Sequence, residues 1–187
     1  ATYKGIKGFT VQSLATDPST PGAVWSSSNG LNAARFVMGG AGTQTAAIVF
    51  GGEGTPGASQ VLTEKYDGTS WTEVNDMPAI RQSMGSAGTQ TAALSMGGTS
   101  STPPSYKATS YEFDGTNWSG GGDLSTARAN ISGCGLQTAG LANGGFNGTS
   151  LTTTEKYNGS SWTSGGDLNT ARSYSTSFGI QTLAICV

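Results

Sequence analysis

The sequence predicts an all-β fold made of four repeats of about 46 residues, and three sets of markers carry this prediction. Tryptophans occur at positions 25, 71, 118 and 162, with separations of 46, 47 and 44 residues. An arginine follows each tryptophan by ten residues, and a glutamine follows each arginine by nine. Three residue types that keep one spacing indicate a repeat protein, and short strands repeated at about this period are typical of propeller blades.

Each unit contains sequence signals for four short strands, which the first unit illustrates. Residues 46–50 form an apolar run that ends at Gly51-Gly52, and residues 63–66 form a second run that ends in an aromatic residue. Asp67-Gly68 follows at once, and Asp-Gly and Asn-Gly favour the tight turns that join antiparallel strands. The third strand begins at Trp71. No segment has the period of a helix, so we expect no helix.

The fourth strand follows the arginine and is rich in small residues, as in residues 83–87, 130–134 and 174–178. Small side chains are expected where strands from several sheets crowd around a common axis. Four short antiparallel strands in each unit therefore predict one propeller blade per unit.

The markers divide the chain into units. Residues 27–71, 72–118 and 119–162 are three complete units. The fourth unit is split, with residues 163–187 at one end of the chain and residues 1–26 at the other. We therefore expect four blades rather than three.

The split unit predicts how the fold closes. We expect a single domain, residues 1–187, in which strands at 6–14 and 23–26 pair with residues 172–187 to close a ring. Pairing of the two chain ends removes exposed sheet edges. Two alternatives remain open at this point: the chain belongs to a longer protein, or another subunit completes three blades.

The glycine pair, the aromatic strand end and the tryptophan, at this period, resemble the kelch-type β-propeller repeat. The resemblance covers roughly residues 22–187. It implies a four-bladed kelch-like β-propeller in which the glycines and aromatic residues serve packing. It implies a fold far more than an activity.

Composition restricts the classes of partner. Only 11% of the 187 residues are charged, and the net charge is -2. A chain without a basic patch lacks the electrostatic footprint of nucleic-acid binding, so we expect no nucleic-acid partner. No apolar run reaches the roughly 18 residues that a membrane-spanning helix needs, so we expect no membrane insertion.

No constellation for catalysis is present, and we expect no enzyme. The absence of histidine removes Ser-His-Asp and Cys-His catalysis and the commonest neutral metal ligand. Glu64, Glu112 and Glu155 recur along the repeats, which favours a structural role over a pair of glycosidase carboxylates. Cys134 and Cys186 fall at non-equivalent positions, and we expect free thiols. We therefore predict no catalytic residue, metal or cofactor.

The four arginines, Arg35, Arg81, Arg128 and Arg172, have two interpretations. As a binding site they would form a ring at one end of the channel and hold an anion or a carboxylate. As structural residues, each would tie a loop to its own or a neighbouring blade through hydrogen bonds. Recurrence in every unit favours the structural interpretation. By the same reasoning, the glutamines would satisfy buried backbone groups rather than line the channel, and the tryptophans would pack between blades.

The repeats differ most in the segment after each glycine pair. Residues 53–59, 99–106 and 146–150 occupy equivalent places and differ in sequence. Variable loops on a constant scaffold are where binding specificity is usually found. Tyr106 and Phe146 are the aromatic residues of these loops, and we predict them as contact residues.

The Thr-, Ser- and Gly-rich units, with stretches such as residues 88–93, resemble kelch-like repeat proteins of bacteriophages, especially those of marine bacteria and cyanobacteria. Residues 3–9 and Asp17-Pro18 are similar to the start of phage structural proteins. The resemblance implies a virion component made in the host cytoplasm, such as a tail fibre or surface module for host recognition. It implies other virion proteins, or a host-surface glycan or protein, as partners. The alternative is a carbohydrate-binding, lectin-like propeller.

Overall fold

The computed structural model describes residues 28–187 apart from Pro56 and Pro104. This part of the chain is all-β, as predicted, and contains seventeen short strands and no helix. No helix among these residues could cross a membrane. The strands predicted at residues 6–14 and 23–26 lie outside the described residues.

The strands follow one another in a repeated order. In chain order they are β1 (Arg35–Phe36), β2 (Gly39–Thr43), β3 (Ala46–Phe50), β4 (Glu53–Gly54), β5 (Ala58–Ser59), β6 (Thr63–Tyr66), β7 (Trp71–Val74), β8 (Gly85–Thr89), β9 (Ala92–Met96), β10 (Ser110–Phe113), β11 (Trp118–Gly120), β12 (Ser132–Leu136), β13 (Ala139–Asn143), β14 (Thr154–Tyr157), β15 (Trp162–Ser164), β16 (Ser177–Ile180) and β17 (Leu183–Cys186). Three four-stranded antiparallel sheets have the orders β2-β3-β6-β7, β8-β9-β10-β11 and β12-β13-β14-β15. β16 and β17 form a two-stranded sheet, and β1, β4 and β5 form a small ribbon.

The strand after each arginine begins a sheet rather than ending one. In the second sheet, for example, the small-residue strand β8 pairs with the apolar strand β9 that follows it. The tryptophan strand is the opposite edge of each sheet, and it continues two or three residues past the unit boundary predicted at the tryptophan. The sheets are therefore offset from the predicted units by one short strand.

The antiparallel order gives every sheet the same two ends. The turn end carries the hairpin turns, which in the first sheet are residues 44–45 and 67–70. The arginine end carries the arginines, the glycine pairs and the loops that follow those pairs. The loops that vary between units therefore lie at the same end as the arginines.

The small-residue strands β2, β8, β12 and β16 pack against one another in succession, as their composition predicts. Gly133 on β12 shows the reason, since a Cβ there would lie 2.5 Å from the carbonyl oxygen of Ser86 on β8. Only glycine permits so close an approach. Hydroxyl groups add polar links, because Gly40 N donates to Ser86 Oγ at 3.2 Å. Ser132 Oγ likewise donates to Ser177 Oγ at 2.7 Å.

Apolar clusters hold successive four-stranded sheets together. The first cluster joins the first and second sheets and contains Ile48, Phe50, Met77, Met84, Ala93 and Phe113. The second joins the second and third sheets and contains Ala87, Leu94, Met96, Leu124, Ile131, Ala142 and Tyr157. Trp118 illustrates the tryptophans, since its ring centroid lies 4.8 Å from that of Phe50 in the preceding sheet. Its Nε1 donates to Thr63 Oγ1 at 3.0 Å, so this indole serves packing between sheets.

Candidate functional site

The backbone N–H and carbonyl groups of Arg81, Arg128 and Arg172 join consecutive units at the arginine end. Arg81 N donates to the carbonyl of Gln60 at 3.1 Å, and Gly52 N donates to the carbonyl of Arg81 at 2.7 Å. The same pair of bonds recurs at Arg128 and Arg172. The backbone of each of these three arginines therefore ties the loop of the unit before it.

Two arginine side chains are buried in ion pairs. Arg35 Nη1 lies 2.7 Å from Glu64 Oε1, and Arg128 Nη1 lies 2.6 Å from Glu155 Oε1. Both guanidinium groups are inaccessible to solvent. Buried charges of this kind require a partner, and in these two units a glutamate supplies it.

Arg81 is also buried but has a different partner. Tyr111 occupies the place that Glu64 has in the first sheet, and its hydroxyl accepts from Arg81 Nη2 at 3.4 Å. The guanidinium carbon lies 5.4 Å from the centroid of the Tyr111 ring. Burial lowers the pKa of Arg81, and the Coulomb interactions with Tyr111 and Asp123 raise it by a smaller amount.

The register at Tyr111 corrects one sequence interpretation. Tyr111, not Glu112, is the equivalent of Glu64 and Glu155, because Ser95 on β9 pairs with Tyr111 as Val49 on β3 pairs with Glu64. Glu112 instead accepts from the Tyr157 hydroxyl at 2.7 Å. Burial and this hydrogen bond raise the pKa of Tyr157 to about 12.

Arg172 differs from the other three arginines because its side chain is exposed. It lines a cavity of about 230 Å³ between the third sheet and the β16–β17 hairpin. The four arginines, for which an anion ring was the less favoured of two interpretations, thus occupy two kinds of environment, three buried and one open.

Tyr106 and Phe146, predicted separately from two variable loops, lie against each other. Their ring centroids are 6.2 Å apart and the rings are inclined by 66°, an edge-to-face contact. Both side chains are half-buried. Backbone bridges position them, since Tyr106 pairs with Thr99 and Phe146 pairs with Ala129. The contact joins the loops of adjacent units into one surface at the arginine end.

A second cavity, of about 220 Å³, collects equivalent residues from all four units. It is lined by Val37, Met38, Ser83, Met84, Asn130, Ile131, Tyr174 and Ser175. These are the second and third residues after each arginine. The residue types at these positions differ between units, so a search for repeated residue types does not find them. Their constant distance from the arginines is the sequence signal that could have identified them.

The backbone around this cavity is left-handed at one position in each unit. Val37, Ser83, Asn130 and Tyr174 have φ values of 48°, 53°, 51° and 58°. Ser83 N donates to the Val37 carbonyl at 2.8 Å, and Asn130 N donates to the Ser83 carbonyl at 2.7 Å. This conformation is costly for a β-branched residue such as Val37, and the ladder of hydrogen bonds holds it.

The described residues contain no cluster of side chains with metal-ligating character. Cys134 and Cys186 are free thiols. Burial raises the pKa of the Cys134 thiol, and the neighbouring Cys186 raises it further. A raised thiol pKa disfavours the reactive thiolate. In the described part of the chain, the arginine end presents two aromatic rings, backbone groups and one exposed arginine.

Comparison with protein-family models gives no match for this chain. Comparison with curated proteins likewise finds no similar sequence.

Proposed function

We propose that this chain is a non-enzymatic binding module that contacts its partner with the arginine end. The observation that carries the proposal is that repeated residues make internal contacts, whereas the residues that vary between units lie in loops at one end. Repeated polar and aromatic side chains are used in internal contacts, such as the Arg128–Glu155 ion pair and the Trp118 packing. The variable loops are at one end, and their two aromatic residues meet there.

The proposed architecture is a four-bladed kelch-like β-propeller closed by strands from both chain ends. Its support is the succession of equivalent sheets, three of four strands and one of two. The two-stranded sheet exposes large apolar side chains, including Leu183 at 79% and Ile185 at 67%. Additional strands beside β17 would cover such a surface, since exposed apolar sheet faces favour association.

The proposed setting is a bacteriophage virion, in a tail fibre or surface module that recognises the host. This part rests on the resemblance of the Thr-, Ser- and Gly-rich units to phage repeat proteins. A rigid disc with loops at one end suits contact with another virion protein or with a host-surface protein or glycan. Valency on a particle would multiply weak individual contacts.

The test measures binding of the full chain to whole marine bacteria and cyanobacteria and to a glycan array. We expect Tyr106→Ala and Phe146→Ala each to weaken binding by about tenfold, because truncation removes an aromatic contact. Leu136→Ala is the matched control, since Leu136 is an apolar residue 52% exposed at the turn end.

Binding that Leu136→Ala weakens as much as the loop variants do would contradict use of the arginine end. Loss of glycan-array binding in the loop variants would favour the lectin-like alternative over a protein partner. Turnover of any polysaccharide by the full chain would contradict a non-enzymatic module.

A further inference from the structure

We propose that the cavity beside Arg172 is a carboxylate-binding site, built from Arg172 and the backbone N–H of Asn169. The inference comes from comparing the four repeat units. An equivalent pair of donors contacts a glutamate carboxylate in the first and third units. The fourth unit presents the pair at a cavity instead.

The donor pair is an arginine and the N–H three residues before it. In the first unit, Glu64 Oε1 lies 2.7 Å from Arg35 Nη1, and Glu64 Oε2 accepts from Asn32 N at 2.8 Å. One carboxylate thus uses both oxygens, one in the ion pair with the guanidinium and the other in the backbone hydrogen bond. The side chain of Glu64 is almost fully buried there.

The third unit repeats this geometry. Glu155 Oε1 lies 2.6 Å from Arg128 Nη1, and Glu155 Oε2 accepts from Ser125 N at 2.9 Å. The second unit lacks both parts of the pattern. Tyr111 stands where the other two have glutamate and contacts Arg81, and Pro78, three residues before Arg81, has no N–H to donate. In both units that have the arginine and the N–H, the two donors hold a glutamate carboxylate.

In the fourth unit the equivalent donors are Arg172 and Asn169 N. Both residues line the cavity of about 230 Å³. Among the described residues no acidic side chain forms an ion pair with Arg172. Asp167, the nearest acidic residue in sequence, accepts from Thr152 Oγ1 at 3.3 Å instead. An exposed guanidinium over a concave surface is a ready carboxylate receptor.

The remaining walls of the cavity define the rest of the ligand. Leu141, Leu168 and Ala184 contribute apolar surface beside Arg172. A carboxylate on a short aliphatic stem fits both features, as the side chain of glutamate does in the first and third units. Such a group has two sources: an acidic ligand or partner residue, or Asp17, the one acidic residue among residues 1–27.

The test is a titration of the full chain, labelled with nitrogen-15, with sodium acetate and sodium butyrate at constant ionic strength. We expect saturable NMR shifts at the Asn169 amide and at the Arg172 Nε–H, with butyrate binding more tightly than acetate because of the apolar walls. Arg172→Gln should abolish the shifts, and Arg172→Lys should weaken binding about tenfold because an ammonium is more strongly hydrated than a guanidinium. Lys156→Gln, which removes a positive charge from an exposed strand position, should leave the shifts unchanged.

Asp17→Asn distinguishes the two sources. If Asp17 occupies the cavity, the wild-type chain shows no acetate shift and the Asp17→Asn chain gains one. If the ligand is external, both chains show the same shift. Absence of a saturable shift in both chains, or an equal shift after Arg172→Gln, would overturn the proposal.

Discussion

The glutamine of each repeat shows how a single side chain joins two sheets. Gln90, Gln137 and Gln181 lie at or beside the hairpin turn of a small-residue strand, and each directs its amide to the preceding sheet. Gln137 Nε2 donates to the carbonyls of Ala93 and Phe113 at 3.0 and 2.8 Å. One amide group thus satisfies two backbone acceptors, which agrees with the structural interpretation of the repeated glutamines.

Gln137→Ala should lower the free energy of unfolding by about 1–3 kcal/mol, because two carbonyls lose their donor. Gln137→Glu should lower it further, since a carboxylate would face two carbonyl oxygens. Denaturant unfolding of both variants checks this, with Thr138→Ala as the control at the neighbouring exposed position. Equal stability of the Gln137→Ala and Thr138→Ala variants would show that the glutamine bonds contribute nothing.

At the scale of the element, the turn between the third and fourth strands of each four-stranded sheet is stabilised by its first residue. Asp114 Oδ1 accepts from Thr116 N at 2.8 Å and from Asn117 N at 2.7 Å. These backbone bonds lower the pKa of Asp114 from its ordinary value of 3.8. Asn158 in the third sheet makes the same two backbone contacts with its amide oxygen. The turn therefore needs an oxygen acceptor and not a charge.

This geometry predicts the pH dependence of the turn. A lowered folded-state pKa means that Asp114 stabilises the fold above about pH 4 and loses that contribution as the pH falls through the folded value. Asp114→Asn should keep the turn and make stability less sensitive to acid, whereas Asp114→Ala should lower the melting temperature at neutral pH. Thermal unfolding between pH 7 and pH 2.5 checks this. Equal acid sensitivity of Asp114→Asn and wild type would exclude Asp114 as a source of acid destabilisation.

At the scale of the whole molecule, the β16–β17 hairpin differs from the other repeated sheets because it has two strands rather than four. Its strand β16 packs on β12, which continues the succession of small-residue strands. Its other surfaces carry four large apolar side chains that are more than half exposed, those of Phe178, Ile180, Leu183 and Ile185. A hairpin of two strands with such surfaces is marginal by itself, so additional strands are expected to cover it.

If strands from the chain's own N-terminal segment complete this sheet, the full chain should be a monomer in solution. Amide hydrogen exchange in β16 and β17 should then be as slow as in β12 and β13, because all four strands would belong to closed sheets. Sedimentation and exchange mass spectrometry of the full chain measure both. A stable dimer would favour completion by another subunit, and rapid exchange confined to β16 and β17 would contradict closure.

Much of the fold follows from local sequence signals. The period of the tryptophans, arginines and glutamines locates the three four-stranded sheets and the β16–β17 hairpin, but not the β1-β4-β5 ribbon. The glycine pairs and Asp-Gly turns locate strand ends, because these signals depend on residues close in the chain. The order of strands in each sheet was less accessible. The small-residue strand pairs with the strand after it, and only the hydrogen-bond register reveals that choice.

The candidate site depended more on tertiary structure. The sequence identified Tyr106 and Phe146 as loop aromatics, but their contact joins residues from different units. It also treated the four arginines as equivalent, whereas burial separates Arg172 from the other three. A repeated sequence determines which side chains recur at which position, since that is set by the period. Packing of one sheet on the next decides what each side chain meets, because those partners are distant in the chain and their positions follow from the assembled fold.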